Sequence, residues 1–409
     1  MKRLRLLVVS SDTYPPTRVD VSVLFGVELA GRGHRIDWLL QSEAACSDPY
    51  VTDLGSGRAW VGATDLGPSL YRRLRKHALG IANDFRLFGR LRAARYDAVQ
   101  VKDKFLSGLL AIVARRVFGT RFIYWLSYPF PEHYLLRAQD GTARYPLLYI
   151  VRGRAFKWLL YRWLLPAADH VFVQSEQMRL DIAAEGIPLQ KMTAIPMGVD
   201  LKMFAGSGSG GSRRVLPPGV PCVLYLGTLD KMRRLDFLIR AFAEVVRAVP
   251  AAKLYLVGRA EHAAERAFLE DEVARLQLQS SVVFTGQLPR AEALQYVAEA
   301  DVCTSPFHPN PVLRSTSPTK LVEYMAMGKA VVANDHPEQK RVIEESGAGI
   351  CVVYEEGAFA AAILELLRNP EKASAMGLRG RRFVVEHREY GVIADFVEAR
   401  LLAVAGDTG

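Results

Sequence analysis

The sequence predicts an α/β protein made of two doubly wound parallel sheets, each covered by helices on both faces. Short apolar runs alternate with amphipathic helical stretches almost throughout, the pattern of parallel strands joined by helical crossovers. The alternation restarts after a Gly/Ser tract at residues 206–212. A chain of 409 residues suits two or three domains better than one.

In the first half, strands are expected at 5–9, 35–40, 98–101, 121–125, 170–173 and 192–195, with helices between several of them. The tract 206–212 has the composition of a linker or exposed loop rather than a phosphate cradle, so the domain boundary belongs here. The second half predicts strands at 223–226, 254–257, 282–284, 301–304, 330–333 and 350–353. The expected division is a first domain over 1–200, a second over 201–387, and a C-terminal helix near 388–405 that packs back onto the first. Two such domains would leave a cleft, and open α/β sheets bind ligands beyond the carboxyl ends of their strands. Neither first strand runs into G-x-G-x-x-G, because Val9 is followed by Ser10 and Leu226 by Gly227-Thr-Leu. A nicotinamide fingerprint is therefore absent.

Apolar residues at 50% and charged residues at 23% exclude disordered and collagen-like classes. The richest apolar stretch, 158–173, is interrupted by Arg162, Pro166 and Asp169, so no run predicts a spanning helix. The start of the chain reads as a first strand rather than a signal peptide, and a cytoplasmic location is expected. Cys46, Cys222, Cys303 and Cys351 lie too far apart for zinc or disulfide frameworks and read as buried thiols.

The formal charge of +10 is unevenly divided: residues 1–200 hold 28 Lys+Arg against 18 Asp+Glu, whereas 201–409 hold 25 of each. Within the first half, residues 69–95 carry eight basic side chains and one acidic one, interleaved with Leu70, Tyr71, Leu74, Leu79, Ile81, Phe85, Phe88 and Leu91. Such a helix, with Arg72, Arg73, Arg75 and Lys76 in its first turns, suits an anionic membrane surface. A core-packed helix with a solvated basic face is the plainer alternative. No nucleic-acid module accompanies the charge.

The most specific chemical signal is the block 315–328, followed directly by an apolar strand. Ser317 suits an N-cap, Pro318 the first helical position and Gly328 the left-handed residue past the end. The start of that helix would offer unpaired N–H groups and a positive dipole end to a phosphate, with Lys320 nearby. Glu323, three residues on, could accept both ribose hydroxyls, or simply pair with Lys320 on the helix surface for about 0.2–0.5 kcal/mol. Just after the first strand of the same domain come Arg233 and Arg234, which could bind a diphosphate through charge-assisted bonds.

At this point the chain resembles the retaining nucleotide-sugar glycosyltransferases of the GT-B fold, family four. The resemblance follows the order of Leu29-Ala-Gly-Arg-Gly-His34, Ile195-Pro-Met-Gly-Val-Asp200, Gly227-Thr-Leu with Arg233, Val257-Gly258, Val283-Phe-Thr-Gly286 and the block from Glu323 to Val332. It implies two Rossmann-like domains facing a central cleft and transfer of a sugar from a UDP- or GDP-linked donor. The acceptor would be a sugar or lipid-linked saccharide in envelope polysaccharide synthesis, at the inner face of the cell membrane. Mapped by residue, Glu323 matches the ribose-binding second glutamate of the family's E-x7-E pattern, and Arg233 its diphosphate-binding lysine. Thr319 and Lys320 fall where backbone amides meet the donor phosphate and sugar, and Gly286 lies beside the base-binding loop.

Departures are equally specific. The first glutamate of the pattern falls on Ser315, the diphosphate arginine on Thr228, and the cleft histidine on Ser127. His133, Glu132 and Asp103 are the remaining candidates for acceptor-side acid/base groups. The resemblance implies front-face attack in which the departing phosphate takes the acceptor's proton, a route that tolerates a missing histidine and needs neither metal nor cofactor. Two alternatives share the architecture: a GT-B-folded partner or sugar-nucleotide-binding protein without transfer activity, and a nucleotide-sugar 2-epimerase.

Overall fold

A computed structural model describes residues 2–204 and 214–406; the Gly/Ser tract at 206–212 lies outside the described residues. The chain forms two compact units, one of Met1–Pro196 with Tyr390–Gly409 and one of Met197–Glu389.

The first unit is built on an eight-stranded sheet with strands β1 (Arg5–Tyr14), β2 (Arg35–Ser42), β3 (Tyr50–Leu54), β4 (Gly57–Gly62), β5 (Ala98–Lys102), β6 (Arg121–Leu126), β7 (His170–Val173) and β8 (Met192–Ala194). Their spatial order is β3-β4-β2-β1-β5-β6-β7-β8. All neighbours are parallel except β3 and β4, which pair antiparallel. The apolar run Leu6–Val9 is buried on both faces, as a central parallel strand requires. Helices Leu70–Ala93 and Phe105–Phe118 and the segment Leu160–Leu164 share one apolar cluster over one face of the sheet. On the other face the terminal helix Tyr390–Gly406 sets Ile393, Val397 and Leu401 against Phe25, Leu29 and Trp38. Arg32 and His34 fix that helix through Glu398, each at 2.8 Å.

The second unit carries a six-stranded, wholly parallel sheet of β9 (Cys222–Leu226), β10 (Lys253–Val257), β11 (Val282–Gly286), β12 (Val302–Ser305), β13 (Val331–Asn334) and β14 (Gly349–Val352). The order is β11-β10-β9-β12-β13-β14. Helix Asp236–Ala248 buries Phe237, Leu238, Ala241, Phe242 and Val245 against it, the spacing of one helical face.

Several sequence expectations need correction. The hairpin β3–β4 was not anticipated, because β3 lies at the edge, is mostly exposed and is too polar to show a buried-strand pattern. β1 runs on to Tyr14, since polar residues 10–14 alternate in exposure and rejoin β2 at Thr13 and Gln41. Only Cys222 and Cys303 are buried; Cys46 and Cys351 are half-exposed, and all four thiols are free. Ser317 does not cap the helix that follows it: its hydroxyl accepts the N–H of Met197 at 2.9 Å, and Pro318 precedes a helix spanning Thr319–Ala326.

Candidate functional site

In the second unit the strand order reverses direction between β9 and β12, which makes their carboxyl ends the place where an open sheet receives a ligand. The loops after β9, β10 and β11 are drawn close at this edge. Gly227 donates to Val257 at 2.9 Å, and Gly258 donates to Gly286 at 3.1 Å. Gly258 sits at φ +143°, and a Cβ there would lie 1.9 Å from the Gly227 carbonyl, so no other residue fits. Gly286, at φ +73°, has open space beside its α-carbon.

Arg233 lies in the turn Lys231–Arg233 directly after β9. Its Nε donates to Thr228 Oγ1 at 2.9 Å and to Asp230 Oδ2 at 3.0 Å, while Thr228 donates to the same carboxylate at 3.0 Å. Burial weakens the guanidinium's hold on its proton, but the neighbouring Tyr225 and Asp230 outweigh this and raise its pKa. The buried Tyr225 phenol is pushed up to about 12. Arg234 takes the left-handed conformation, φ 50° and ψ 51°, and grips Asp236 through Nε and Nη2 at 3.0 and 2.8 Å. The anions that compensate two arginines beside a helix start are thus Asp230 and Asp236 of the chain itself. Asp230 was missed in the sequence because its role shows only once the turn folds it under Arg233.

After β12 the chain passes through the turn Leu313–Ser315 into helix Thr319–Ala326. Glu323 and Lys320 face each other, Lys320 Nζ donating to Glu323 Oε2 at 3.0 Å, with the carboxylate 13% and the ammonium 34% exposed. Thr319, at the first helical position, is half-buried. Ser315 is buried, and its hydroxyl donates to the Val312 carbonyl at 3.3 Å. This loop is braced by His336, whose Nε2 pairs with the Leu313 carbonyl at 2.7 Å; burial depresses the imidazole to about 4. The neutral ring accordingly donates from Nε2 and accepts the Gln339 N–H at Nδ1. Tyr324, on the buried side of the same helix, also escaped the sequence reading, which could not show its hydroxyl reaching β9.

In the first unit the reversal falls between β1 and β5. Here Lys102, 1% exposed, donates to Asp12 at 2.8 Å and lies 5.1 Å from the Trp125 ring centre. The adjoining Asp103, at φ 56°, accepts the Ser127 N–H at 2.8 Å and the Ser127 hydroxyl. Burial raises the Asp103 carboxyl despite Lys102 and the Ser127 bonds. Ser127, Glu132 and His133 do not share one hydrogen-bonded cluster. Glu132 accepts from Tyr161 at 3.1 Å and is raised by burial, whereas His133 Nδ1 pairs with Tyr128 at 3.0 Å and is lowered by burial. The Asp12–Lys102 pair was missed, although a Lys-Asp dipeptide ending an apolar strand is a readable signal.

Helix Leu70–Ala93 begins at Ser69, whose side chain accepts the Arg72 N–H at 3.3 Å. Arg72, Arg73, Arg75 and Lys76 are exposed, as are Leu70, Tyr71 and Leu74; Asp65 lies 3.3 Å from Arg75. Among the described residues, no group of three or more His, Cys, Asp or Glu is placed to hold a metal ion, and no helix is long and apolar enough to cross a membrane.

Residues 24–198 match the family described as glycosyl transferase 4-like domain, and residues 220–369 the family described as glycosyl transferases group 1. Alpha-monoglucosyldiacylglycerol synthase of Streptococcus pneumoniae is 26% identical over 309 residues, covering 73% of this chain and 62% of that protein. D-inositol 3-phosphate glycosyltransferase of Kineococcus radiotolerans is 26% identical over 238 residues, 54% of either chain. The GDP-mannose-dependent alpha-(1-6)-phosphatidylinositol monomannoside mannosyltransferase of Mycolicibacterium smegmatis is 28% identical over 229 residues, 54% of this chain and 59% of its own. The aligned chain therefore spans between about half and two thirds of these relatives. Among solved structures, sucrose-phosphate synthase from Thermosynechococcus elongatus aligns with a TM-score of 0.71 at 21% identity, over 98% of this chain and 100% of that one. The Anabaena protein HepE, solved with UDP and glucose, aligns with a TM-score of 0.65 at 15% identity over the same shares. At these identities the structural likeness establishes the fold.

Proposed function

Because the chain belongs to the group 1 glycosyl transferases of family four and has the GT-B fold, we propose that it moves a sugar, with retention, from a UDP- or GDP-linked donor to a lipid-linked saccharide. The reading rests on the placement of Arg233 in the turn after β9 and of Glu323 in the helix that follows β12, the two strands that flank the reversal point of one sheet. Arg233 and Lys320 would meet the diphosphate, with the backbone at Thr319 and the start of its helix. Glu323 would exchange its Lys320 partner for the ribose hydroxyls, and Gly286 leaves room for the base. Thr228, bonded to Arg233, and Ser315 support these loops from positions where the family has charged side chains.

In the reaction the bond from the anomeric carbon to the diphosphate oxygen breaks and its electron pair stays on the phosphate. The acceptor oxygen then bonds to the anomeric carbon on the same face and loses its proton to a departing phosphate oxygen. Negative charge grows on the diphosphate, and a fixed field from Arg233, Lys320 and the helix end lowers the barrier without a metal. Asp103 with Ser127, near the ends of β5 and β6, is the group we assign to holding the acceptor hydroxyl; Glu132 and His133 line other contacts of the same unit.

The acceptor class is supported by relatives named for glycolipid and phosphatidylinositol substrates. The exposed basic turns around Arg72, Arg73, Arg75 and Lys76 fit a peripheral position on an anionic inner membrane face, consistent with a role in envelope polysaccharide assembly. A second reading, a sugar-nucleotide-binding protein without transfer activity, is favoured by Ser315 and Thr228 standing where the family has charge. Incubation with UDP- and GDP-sugars and a lipid extract separates the two: labelled glycolipid with retained anomeric configuration supports transfer, and donor binding without product supports the second reading.

A further inference from the structure

We propose that helix Pro146–Leu159 and the turn after it form a second membrane-docking face of the first unit, directed at a bilayer with anionic headgroups. The inference deepens the lipid-linked acceptor reading and uses a helix distinct from the basic one at Leu70–Ala93. The two sides of this helix differ sharply. Inward, Gly153 packs so closely on Leu135 that a Cβ would lie 2.8 Å from its Cγ, and Phe156 stacks on Phe105 with ring centres 4.5 Å apart. Outward, Leu147 is 79% exposed, Leu148 61%, Val151 65% and Trp158 59%; Leu147, Val151 and Trp158 stand four and seven residues apart along one stripe, with Leu148 at its edge. Trp163, 54% exposed, extends the stripe, its ring centre 6.0 Å from that of Trp158.

Four exposed large apolar side chains on one helix stripe, continued by a fifth in the next turn, need a partner, and charge decides which one. Residues 141–168 contain no Asp or Glu, while Arg144, Arg152, Arg154 and Arg162 stand exposed among the apolar positions. A symmetric dimer through this face would place like charges against each other without an acidic complement. An anionic bilayer supplies that complement. Leucine and valine then enter the acyl boundary, paired tryptophans sit at headgroup level, and arginines extend their heads to the phosphates.

The tryptophans make the test direct. Trp38, Trp60 and Trp125 are buried, so of the five in the chain only Trp158 and Trp163 can meet lipid. Full-length protein is titrated with anionic vesicles whose acyl chains are brominated, following intrinsic fluorescence, with UDP affinity measured on the same samples. The expected result is quenching in the wild type that disappears in W158F/W163F, and vesicle partitioning weakened about tenfold or more in L147S/V151S with the circular dichroism spectrum unchanged. Vesicle flotation without quenching would overturn the proposal by showing that another surface docks. Concentration-dependent dimerisation that shields the tryptophans would overturn it in favour of a second copy. Absence of vesicle binding would overturn it as well, and retained UDP affinity in that case leaves the transferase reading standing.

Discussion

The phenolic oxygen of Tyr324 accepts the backbone N–H of Leu226 at 2.7 Å, joining the helix that carries Lys320 and Glu323 to the last residue of β9. The ring is fully buried and its hydroxyl also reaches the Leu226 carbonyl at 3.4 Å, so Tyr324 ties the helix to the strand that leads into the turn of Thr228 and Arg233. Tyr324→Phe leaves the Leu226 N–H without its partner. We predict a loss of about 1–3 kcal/mol in denaturant unfolding, with weaker donor binding as the two loops lose register. Unchanged stability and affinity would show that the loops are set by other contacts.

The packing of Gly258 on Gly227 makes a second prediction. Gly258→Ala forces a Cβ into the neighbouring carbonyl at a backbone angle that side chains rarely adopt, and should cost at least about 1–3 kcal/mol. Thermal unfolding should therefore occur at a clearly lower temperature than for Gly286→Ala, where the space beside the α-carbon is open.

His336 gives the second unit a pH dependence whose sign follows from its depressed pKa. Above the ordinary value of 6.5 the imidazole is neutral in both folded and unfolded chains, so the stability it permits is fully present. Between 6.5 and about 4 the unfolded chain takes up a proton that the folded one refuses, and stability falls by about 1.4 kcal/mol per pH unit. His336→Gln should unfold more easily at pH 7 yet show a shallower decline on acidification. A decline of equal slope in both proteins would assign it to other groups.

Replacing Arg72, Arg73, Arg75 and Lys76 together by glutamine should reduce flotation with anionic vesicles, each basic side chain near the surface contributing about 1 kcal/mol. Neutral vesicles serve as the control. Equal recovery of both proteins on anionic lipid would leave these turns as a solvated face.

Much of the fold was legible because parallel strands buried on both faces must be apolar along their whole length, so Leu6–Val9 or Leu254–Val257 announces itself. The edge hairpin β3–β4 did not, since an exposed strand needs no such run. The site was legible in residue type and less so in partnership. A turn carrying Arg233 after β9 and a helix carrying Glu323 after β12 could be read from the sequence, but Asp230 beside Arg233, Tyr324 reaching Leu226 and Lys102 paired with Asp12 depend on tertiary approach, which spacing does not encode. Ser317 shows the opposite failure. A residue with strong local preference for capping was claimed by the Met197 amide, because tertiary geometry outweighed a local bond worth about 1 kcal/mol.

On the proposed reading, Arg233 and Glu323 hold the diphosphate and ribose of a sugar nucleotide. Calorimetric titration of UDP and GDP into wild type, Arg233→Ala and Glu323→Ala tests it most directly. The wild type should bind at least one nucleotide, with affinity weakened about 10- to 100-fold by Arg233→Ala and clearly weakened by Glu323→Ala, each variant still folded. Equal affinity in all three proteins would contradict it.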